Sequence, residues 1–209
     1  MHIFIDLNIQ TMHFIHIPKN AGTSIKKLCK KLNITYHNHS YDVKKLKNEE
    51  TFVIIRNPID RFASAVAYSI KEGIKHKNTN IEELVEHKCT NASDWAEIIF
   101  GNKKEHKMYK NIMLEVLNKK HKIGKYKPKY KWTYTEQFIW VNNPTKMILF
   151  ENLNEEFFKI FGIQLSNENV SKMNETIFSE DAINYLKNYY KKDFEIYTNL
   201  LPASFLVRT

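Results

Sequence analysis

The residues best suited to chemistry are a lysine, a glycine and two hydroxyl side chains in the segment FIHIPKNAGTSIKKL, residues 14–28. The apolar start of this segment predicts a buried strand, and its end predicts the first turns of a helix. The turn between them and the helix N-terminus present unpaired backbone N–H groups, which attract anions. Lys19 adds a mobile positive charge, and Gly22 lets the backbone approach a ligand closely. Because Thr23 and Ser24 also offer hydroxyls at the helix start, the segment predicts a site for phosphate or a group of similar shape.

A second segment, FVIIRNPIDRFASAV at residues 52–66, places an arginine at the end of a predicted strand. Ser64 lies on the helix that is predicted next, eight positions after Arg56. A guanidinium at a strand end and a hydroxyl one or two helical turns further on can bind the same phosphate. Each residue also has a structural interpretation, in which Arg56 binds a carboxylate and Ser64 packs between two alanines.

The composition predicts a globular protein with an anionic partner. The chain has 209 residues, 43% of them hydrophobic, which predicts one domain over residues 1–209 with a core of its own. The net charge of +9 favours a nucleotide, an acidic glycan or another anion as partner, although a lysine-rich solvated surface would give the same value. Only three of the 32 basic residues are arginines, at positions 56, 61 and 208. In a chain that otherwise uses lysine, an arginine indicates a position where a rigid, planar guanidinium matters.

Cysteines and apolar runs indicate the compartment. Cys29 and Cys89 are the only cysteines, too few for a disulfide scaffold or a zinc site. Polar residues, His2 and Asp6 among them, interrupt the start of the chain, unlike a signal peptide. No apolar run has the length of a membrane span. We therefore expect a soluble, cytoplasmic protein.

The hydrophobic pattern predicts alternating strands and helices. Apolar, β-rich runs predict strands at residues 13–17, 34–36, 52–55 and 147–150. Helical patterns occupy residues 23–32, 58–72, 81–87, 94–100, 105–119, 154–161 and 179–198. This alternation predicts a three-layer α/β domain with a central, mainly parallel sheet. Ligands in such sheets bind at the carboxyl ends of the strands, so we expect Lys19 and Arg56 to face one crevice.

Taken together, the two segments closely resemble the phosphate-binding signatures of sulfotransferases that use 3′-phosphoadenylyl sulfate (PAPS). HIPKNAGTS, residues 16–24, resembles the 5′-phosphosulfate loop, and RNPIDRFASA, residues 56–65, resembles the 3′-phosphate motif. The sequences of both motifs are most similar to those of the carbohydrate branch, which includes Golgi glycan enzymes and bacterial relatives. MILFENLNEEFFKIFGI (residues 147–163), MNE (173–175) and YKKDF (190–194) resemble later segments of that family. The resemblance implies its P-loop-like fold.

The resemblance also implies an activity, in which a sulfuryl group moves from PAPS to a hydroxyl or amine of a carbohydrate-like acceptor by in-line attack. Adenosine 3′,5′-bisphosphate (PAP) is then the product, Lys19 stabilises the leaving phosphate, and no metal is required. The implied cofactor-binding residues are Pro18, Lys19, Asn20, Ala21, Gly22, Thr23, Ser24, Arg56 and Ser64. Arg61 and the neighbouring Asp60 also match the motif, and we expect them to serve structure through an ion pair or backbone contacts.

The acceptor must lose a proton, so a general base is expected. His39 occupies a place where family members often carry a histidine, and His37 is the alternative. His16 is expected to shape the strand end. Glu151 follows a strand at the same crevice, and we interpret it as a helix cap or a partner for Lys19 or Arg56.

A basic, aromatic segment at residues 119–131 predicts a surface loop over or beside the crevice. Members of the family often have Pro-Gln here, where this chain has Pro-Lys. The residues that could grip an anionic sugar or stack on its rings are Lys125, Lys127, Lys129 and Lys131 with Tyr126, Tyr130 and Trp132. A solvated loop is the alternative interpretation of all of them.

Two other functions fit parts of the sequence. An ATP-dependent small-molecule kinase would need a Walker A loop, whose lysine follows the glycine-rich turn, whereas Lys19 precedes Gly22 by three residues. A non-catalytic protein that binds PAP, another nucleotide or an anionic polymer would keep the phosphate sites, but it would not need Lys19 as a leaving-group cation.

Overall fold

The structure is a computed structural model, which describes residues 11–46, 49–101, 106–117, 130–141, 144, 146–165 and 177–202. Its strands are β1 (Met12–Ile15), β2 (Ile34–His37), β3 (Thr51–Ile55) and β4 (Lys146–Leu149). They form one sheet in the order β2-β1-β3-β4, and every neighbouring pair is parallel. The predicted α/β class with a parallel central sheet is confirmed.

The helices are α1 (Gly22–Leu28), α2 (Pro58–Lys75), α3 (Thr79–Glu86), α4 (Ala92–Phe100), α5 (Lys107–Leu117), α6 (Leu153–Phe161), α7 (Glu180–Tyr189) and α8 (Lys191–Leu200). The residues at the start of α2 show why this helix begins where it does. Pro58 occupies its first turn, where proline loses no hydrogen bond, and the side chain of Asn57 caps it by accepting from the N–H of Ile59.

Alternate side chains of the strands enter two different apolar clusters, as expected for a sheet that is covered on both faces. On one face, Phe14 and Ile54 pack with residues of α1 and α6, among them Ile25 and Phe157. On the other face, residues of β1, β3 and β4 pack with Tyr197 of α8 and with Trp140. The sheet therefore forms the middle of three layers.

A separate apolar cluster lies among α2, α3, α4, α5 and α7, and includes the buried aromatic rings of Phe62, Trp95 and Tyr134. Glycine brings α2 and α3 together, because a Cβ on Gly73 would overlap the side chain of Ile81. This cluster anchors α2, whose N-terminus lies directly after β3.

The predicted C-terminal helix over residues 179–198 is wrong as a single element. The chain leaves α-helical geometry at Tyr190 (φ −95°, ψ 27°), which separates α7 from α8. The buried hydroxyl of Tyr190 donates to the carbonyl of Tyr134 at 2.8 Å. This contact lies in the apolar cluster of α7, whereas α8 packs on the sheet, so the chain must turn between them.

The strand order creates a crevice. The chain passes from β1 to β2 on one side, and then to β3 on the other side of β1. Connections that leave adjacent strands in opposite directions open a cleft at the carboxyl ends of those strands. The residues after β1 and after β3, which include Lys19 and Arg56, therefore meet at this cleft.

Two properties concern the chain as a whole. Cys29 and Cys89 are buried and free of disulfides. Among the described residues, none of the helices combines the length and the apolar character that a membrane crossing requires.

Candidate anion-binding site

The loop between β1 and α1 has an unusual backbone. Lys19 (φ 72°) and Ala21 (φ 55°) both adopt positive φ, which side-chain-bearing residues rarely do. Ala21 precedes α1 in left-handed geometry and, as an alanine, makes no side-chain hydrogen bond that caps the helix. A left-handed residue followed by helical residues turns successive N–H groups toward one point, and such concavities bind anions. The strain is therefore placed where a ligand can be bound.

Gly22 leaves room for the ring of His16. A Cβ at Gly22 would overlap the imidazole ring of His16. Nδ1 of that ring lies 2.6 Å from the hydroxyl of Tyr36 on β2. Burial, followed by the charges of His39 and Lys26, lowers the pKa of His16 to about 4. His16 is therefore a neutral ring that shapes the strand end, as the sequence predicts.

Lys19 lies among other cations. Its Nζ is 4.3 Å from the centroid of the Tyr68 ring, a side chain of α2 that is 41% exposed. Burial lowers the pKa of Lys19 to about 8, and the charges of Arg56 and Arg61 act in the same direction. Sequence reasoning missed Tyr68, because an aromatic residue on an amphipathic helix gives no signal for a site.

Arg56 contacts the lysine loop directly. Its Nη1 donates to the carbonyl oxygen of Lys19 at 3.2 Å, and its guanidinium carbon lies 4.4 Å from the centroid of the Phe150 ring. Burial lowers its pKa, whereas Asp60 and Glu151 act in the opposite direction. The structure thus brings Lys19 and Arg56 together as predicted, and Phe150 restricts the orientation of the guanidinium.

Arg61 stabilises the loop between β1 and α1. It is 1% exposed, and its Nε donates to the carbonyl oxygen of Pro18 at 3.0 Å. The predicted structural role of Arg61 through backbone contacts is confirmed. Asp60, its neighbour on α2, is exposed.

A buried amide pair connects the two loops. The side chain of Asn20 donates to the carbonyl of Ile54 and to Oε1 of Gln137, both at 2.6 Å. Gln137 also bonds both backbone groups of Arg56, at 3.1 Å to its N–H and 2.9 Å to its carbonyl. Sequence reasoning assigned Asn20 to the cofactor and missed Gln137, which lies 81 residues from Arg56 and belongs to no local motif.

The other predicted cofactor residues lie on the helices that start at the crevice. Thr23 is exposed and Ser24 is half-buried at the start of α1. Ser64 lies on α2 and is 7% exposed. That Ser64 joins Arg56 on a phosphate remains a prediction.

The two histidines predicted as general base lie in different surroundings. The ring of His39 is 5.8 Å from that of His16, which itself borders Gly22. Nε2 of His37 instead lies 2.7 Å from Nδ1 of His13. The ring centroids of His37 and Tyr41 are 4.1 Å apart. Burial, and then His13, lowers the pKa of His37. His39 is therefore the histidine next to the lysine loop, and its role as general base stays a prediction.

Glu151 stabilises the turn after β3. Its Oε1 accepts from the N–H of Asn57 at 3.1 Å, and its charge acts on Arg56. This carboxylate therefore caps the residues that begin α2, although the helix that follows it in sequence is α6.

The predicted acceptor contacts are corrected at one position. Tyr130 is 4% exposed and packs against Phe100 and Tyr189 in the helical cluster, so its ring cannot bind a sugar. Its alternating aromatic–lysine context resembled a surface loop, but the ring is required for packing. The backbone of Trp132 belongs to a short 3-10 helix, Trp132–Tyr134. Lys125, Tyr126, Lys127, Lys129 and residues 173–175 lie outside the described residues.

The described residues contain no group of three or more His, Cys, Asp or Glu side chains that could hold a metal ion. Comparisons of the chain with models of protein families, with curated proteins and with solved structures find no match. The interpretation of the crevice therefore depends on its own residues.

Proposed function

We propose that this chain is a PAPS-dependent sulfotransferase that transfers a sulfuryl group to a hydroxyl or amine of a carbohydrate-like acceptor. One observation carries the proposal: Lys19 and Arg56 converge from the carboxyl ends of two adjacent strands and contact each other. Burial, followed by the charges of Arg56 and Arg61, lowers the pKa of Lys19, so its positive charge is costly in the free protein. A bound anion would offset this cost.

Two sets of donors, one at the start of α1 and one at Arg56, suit a ligand with two anionic groups. The left-handed turn before α1 and the hydroxyls of Thr23 and Ser24 would take the 5′-phosphosulfate. Arg56, with Ser64 on α2, would take the 3′-phosphate. A guanidinium suits phosphate because its planar donors match two phosphate oxygens.

In the proposed reaction, the acceptor oxygen or nitrogen attacks sulfur while the bond from sulfur to the bridging phosphate oxygen breaks. The electron pair of that bond goes to the phosphate of PAP, where Lys19 stabilises it. With a pKa of about 8, Lys19 is mostly protonated at neutral pH. The acceptor proton goes to His39, which lies beside the lysine loop through its contact with His16. Positioning and electrostatics supply the catalysis, as in phosphoryl transfer.

Calorimetric titration with PAP, ATP and ADP, each with and without magnesium, tests the proposal. We expect metal-independent binding of PAP, weakened at least about tenfold in Arg56→Ala by loss of a charge-assisted contact. Lys187→Ala, which removes an exposed cation from α7, is the matched control and should bind PAP normally. Binding of ATP only with magnesium would favour the kinase, and no nucleotide binding would also overturn the proposal.

A PAP-binding protein without activity is the remaining alternative. Incubation with PAPS and a panel of oligosaccharides, followed by measurement of PAP release and of sulfated product, separates it from an enzyme. Product formation that Lys19→Met abolishes supports the transferase. Tight PAP binding without sulfated product from any acceptor would favour the non-catalytic protein.

A further inference from the structure

The carboxamide of Gln137 makes two hydrogen bonds to the backbone of Arg56, of the kind that a neighbouring strand makes within a sheet. Its Oε1 accepts from the Arg56 N–H, and its Nε2 donates to the Arg56 carbonyl. Both backbone groups of the residue that directly follows β3 thereby form hydrogen bonds with one side chain. The direction in which Arg56 leaves the sheet is therefore fixed by a residue from a distant segment.

The same oxygen of Gln137 also binds the other loop. Asn20, which directly follows Lys19, donates its amide to Oε1 of Gln137 and to the carbonyl of Ile54. Asn20 is fully buried, so these bonds form away from water, where leaving such groups unpaired is costly. One side chain thus fixes the residue after Lys19 and the backbone of Arg56 at the same time.

Asp193 holds Gln137 in turn. Its carboxylate accepts from the N–H groups of Gln137 at 2.7 Å and Phe138 at 2.9 Å, at the start of the short 3-10 helix Gln137–Trp140. Asp193 is 1% exposed. Its charge also acts on Arg61, which binds the carbonyl of Pro18. The contacts therefore run from α8 through Gln137 to both loops of the crevice.

We propose that Gln137 and Asp193 are positioning residues that hold the Lys19 loop and Arg56 at the separation of the two phosphates of one nucleotide, so that both phosphates bind cooperatively. The inference rests on the proposed function, since it explains how that site selects a ligand with both phosphates. If these residues served core packing alone, their substitution would lower the affinity for every anion equally. The coupled arrangement predicts a selective loss for ligands that carry both phosphates.

The test compares PAP with adenosine 5′-monophosphate and adenosine 3′-monophosphate in calorimetric titrations. The coupling is the affinity for PAP divided by the product of the affinities for the two monophosphates. Gln137→Met has a similar size but cannot form the hydrogen bonds. We expect it to lower the coupling at least about tenfold, while the affinity for each monophosphate changes less than about threefold.

Three further variants complete the experiment. Gln137→Glu keeps the acceptor for the Arg56 N–H and for Asn20, so it should retain more coupling than Gln137→Met. Gln164→Met changes an exposed glutamine and should leave the coupling as in the wild type. Asn20→Ala removes the bond between the loops and should lower the coupling even if Gln137→Met fails to fold.

The outcomes separate the two proposals. If the wild type binds PAP and the Gln137→Met or Asn20→Ala variant loses the same factor for all three nucleotides, the coupling is refuted and the proposed function stands. If the wild type binds none of them, the proposed function and the coupling both fail. A selective loss for PAP, retained in part by Gln137→Glu, supports the coupling.

Discussion

Lys19 is placed where folding alone would not favour a charge. It sits at positive φ, it is half-buried, and burial, followed by the charges of Arg56 and Arg61, lowers its pKa to about 8. Each of these features costs free energy in the unliganded protein. Residues of this kind persist where a ligand uses them.

Lys19→Met should therefore stabilise the free protein. The pKa of Lys19 falls from 10.5 unfolded to about 8 folded, so its charge destabilises the folded state fully below pH 8. The cost disappears as the pH rises from 8 to 10.5. We expect a gain on the order of 1 kcal/mol at pH 7 and a smaller one at pH 10, measured by urea denaturation.

Lys187→Met, at an exposed position of α7, is the control and should change stability little at either pH. A loss of stability in Lys19→Met at pH 7 would contradict this account of the crevice.

Gly22 and His16 should be coupled in a double-mutant cycle. Gly22→Ala pushes a methyl group into the His16 ring, and overpacking of this kind costs about 1–3 kcal/mol. In the His16→Ala background the ring is absent, and alanine should then be favourable by up to about 1 kcal/mol, because it is the better helix former. The free energy of unfolding of the four proteins measures this reversal of sign.

Gly162→Ala serves as the comparison. Its φ of +67° strains any side chain, but among the described residues no atom beyond its two chain neighbours lies within 4 Å of the added Cβ. Its cost should be the same with and without His16. Equal behaviour of Gly22→Ala and Gly162→Ala would refute the steric contact with His16.

At the scale of elements, the short 3-10 helix Gln137–Trp140 joins α8 to both loops of the crevice. The carboxylate of Asp193 supplies that connection, although burial raises its pKa to about 6 and outweighs Arg61 and the two backbone N–H groups. A buried carboxylate that is costly to ionise is weak support for stability. Its geometry, by contrast, sets the position of Gln137.

Asp193→Asn should reveal this cost through pH. Between about pH 4 and 6 the unfolded carboxyl has released its proton and the folded one has not, so the wild type loses stability as the pH rises. The asparagine variant does not titrate there. We expect the stability of the wild type to fall relative to Asp193→Asn by up to about 3 kcal/mol across this range, with no further change above it.

Urea denaturation at several pH values measures the difference. Glu195→Gln removes a charge from an exposed position of the same helix and should show no comparable trend. A difference between the wild type and Asp193→Asn that grows in the opposite direction would mean that Asp193 ionises easily in the folded protein.

At the scale of the whole molecule, the net charge is +9, and at the crevice burial, followed by the charges of Arg56 and Arg61, lowers the pKa of Lys19. If the crevice binds PAP as proposed, binding should raise the pKa of Lys19, because an anion favours the charged form. At pH 8 the free lysine is about half protonated, so binding should take up as much as about half a proton. Calorimetry at pH 8 in buffers of different ionisation enthalpy measures this uptake.

The phosphates of PAP titrate near pH 6, so they contribute little at pH 8. Lys19→Met isolates the lysine, and its residual binding should occur without the uptake. Proton uptake of equal size in the wild type and in Lys19→Met would assign it to another group.

The sequence by itself determined the parallel α/β class, the strands that carry Lys19 and Arg56, and their meeting at one crevice. These features depend on apolar runs and turn residues that are close together in the chain, and on the rule that parallel strands align their carboxyl ends. The structure shifted the ends of those elements by a few residues, but the order of strands and helices held in the described part of the chain.

Only the tertiary structure decided which distant side chains complete the site. Gln137 lies 81 residues from Arg56, and Asp193 lies 56 residues beyond Gln137. The break at Tyr190 and the burial of Tyr130 likewise depend on packing among helices. A buried polar group needs some partner, but its own sequence neighbourhood does not specify which segment provides it. That choice is made when the layers of the fold come together.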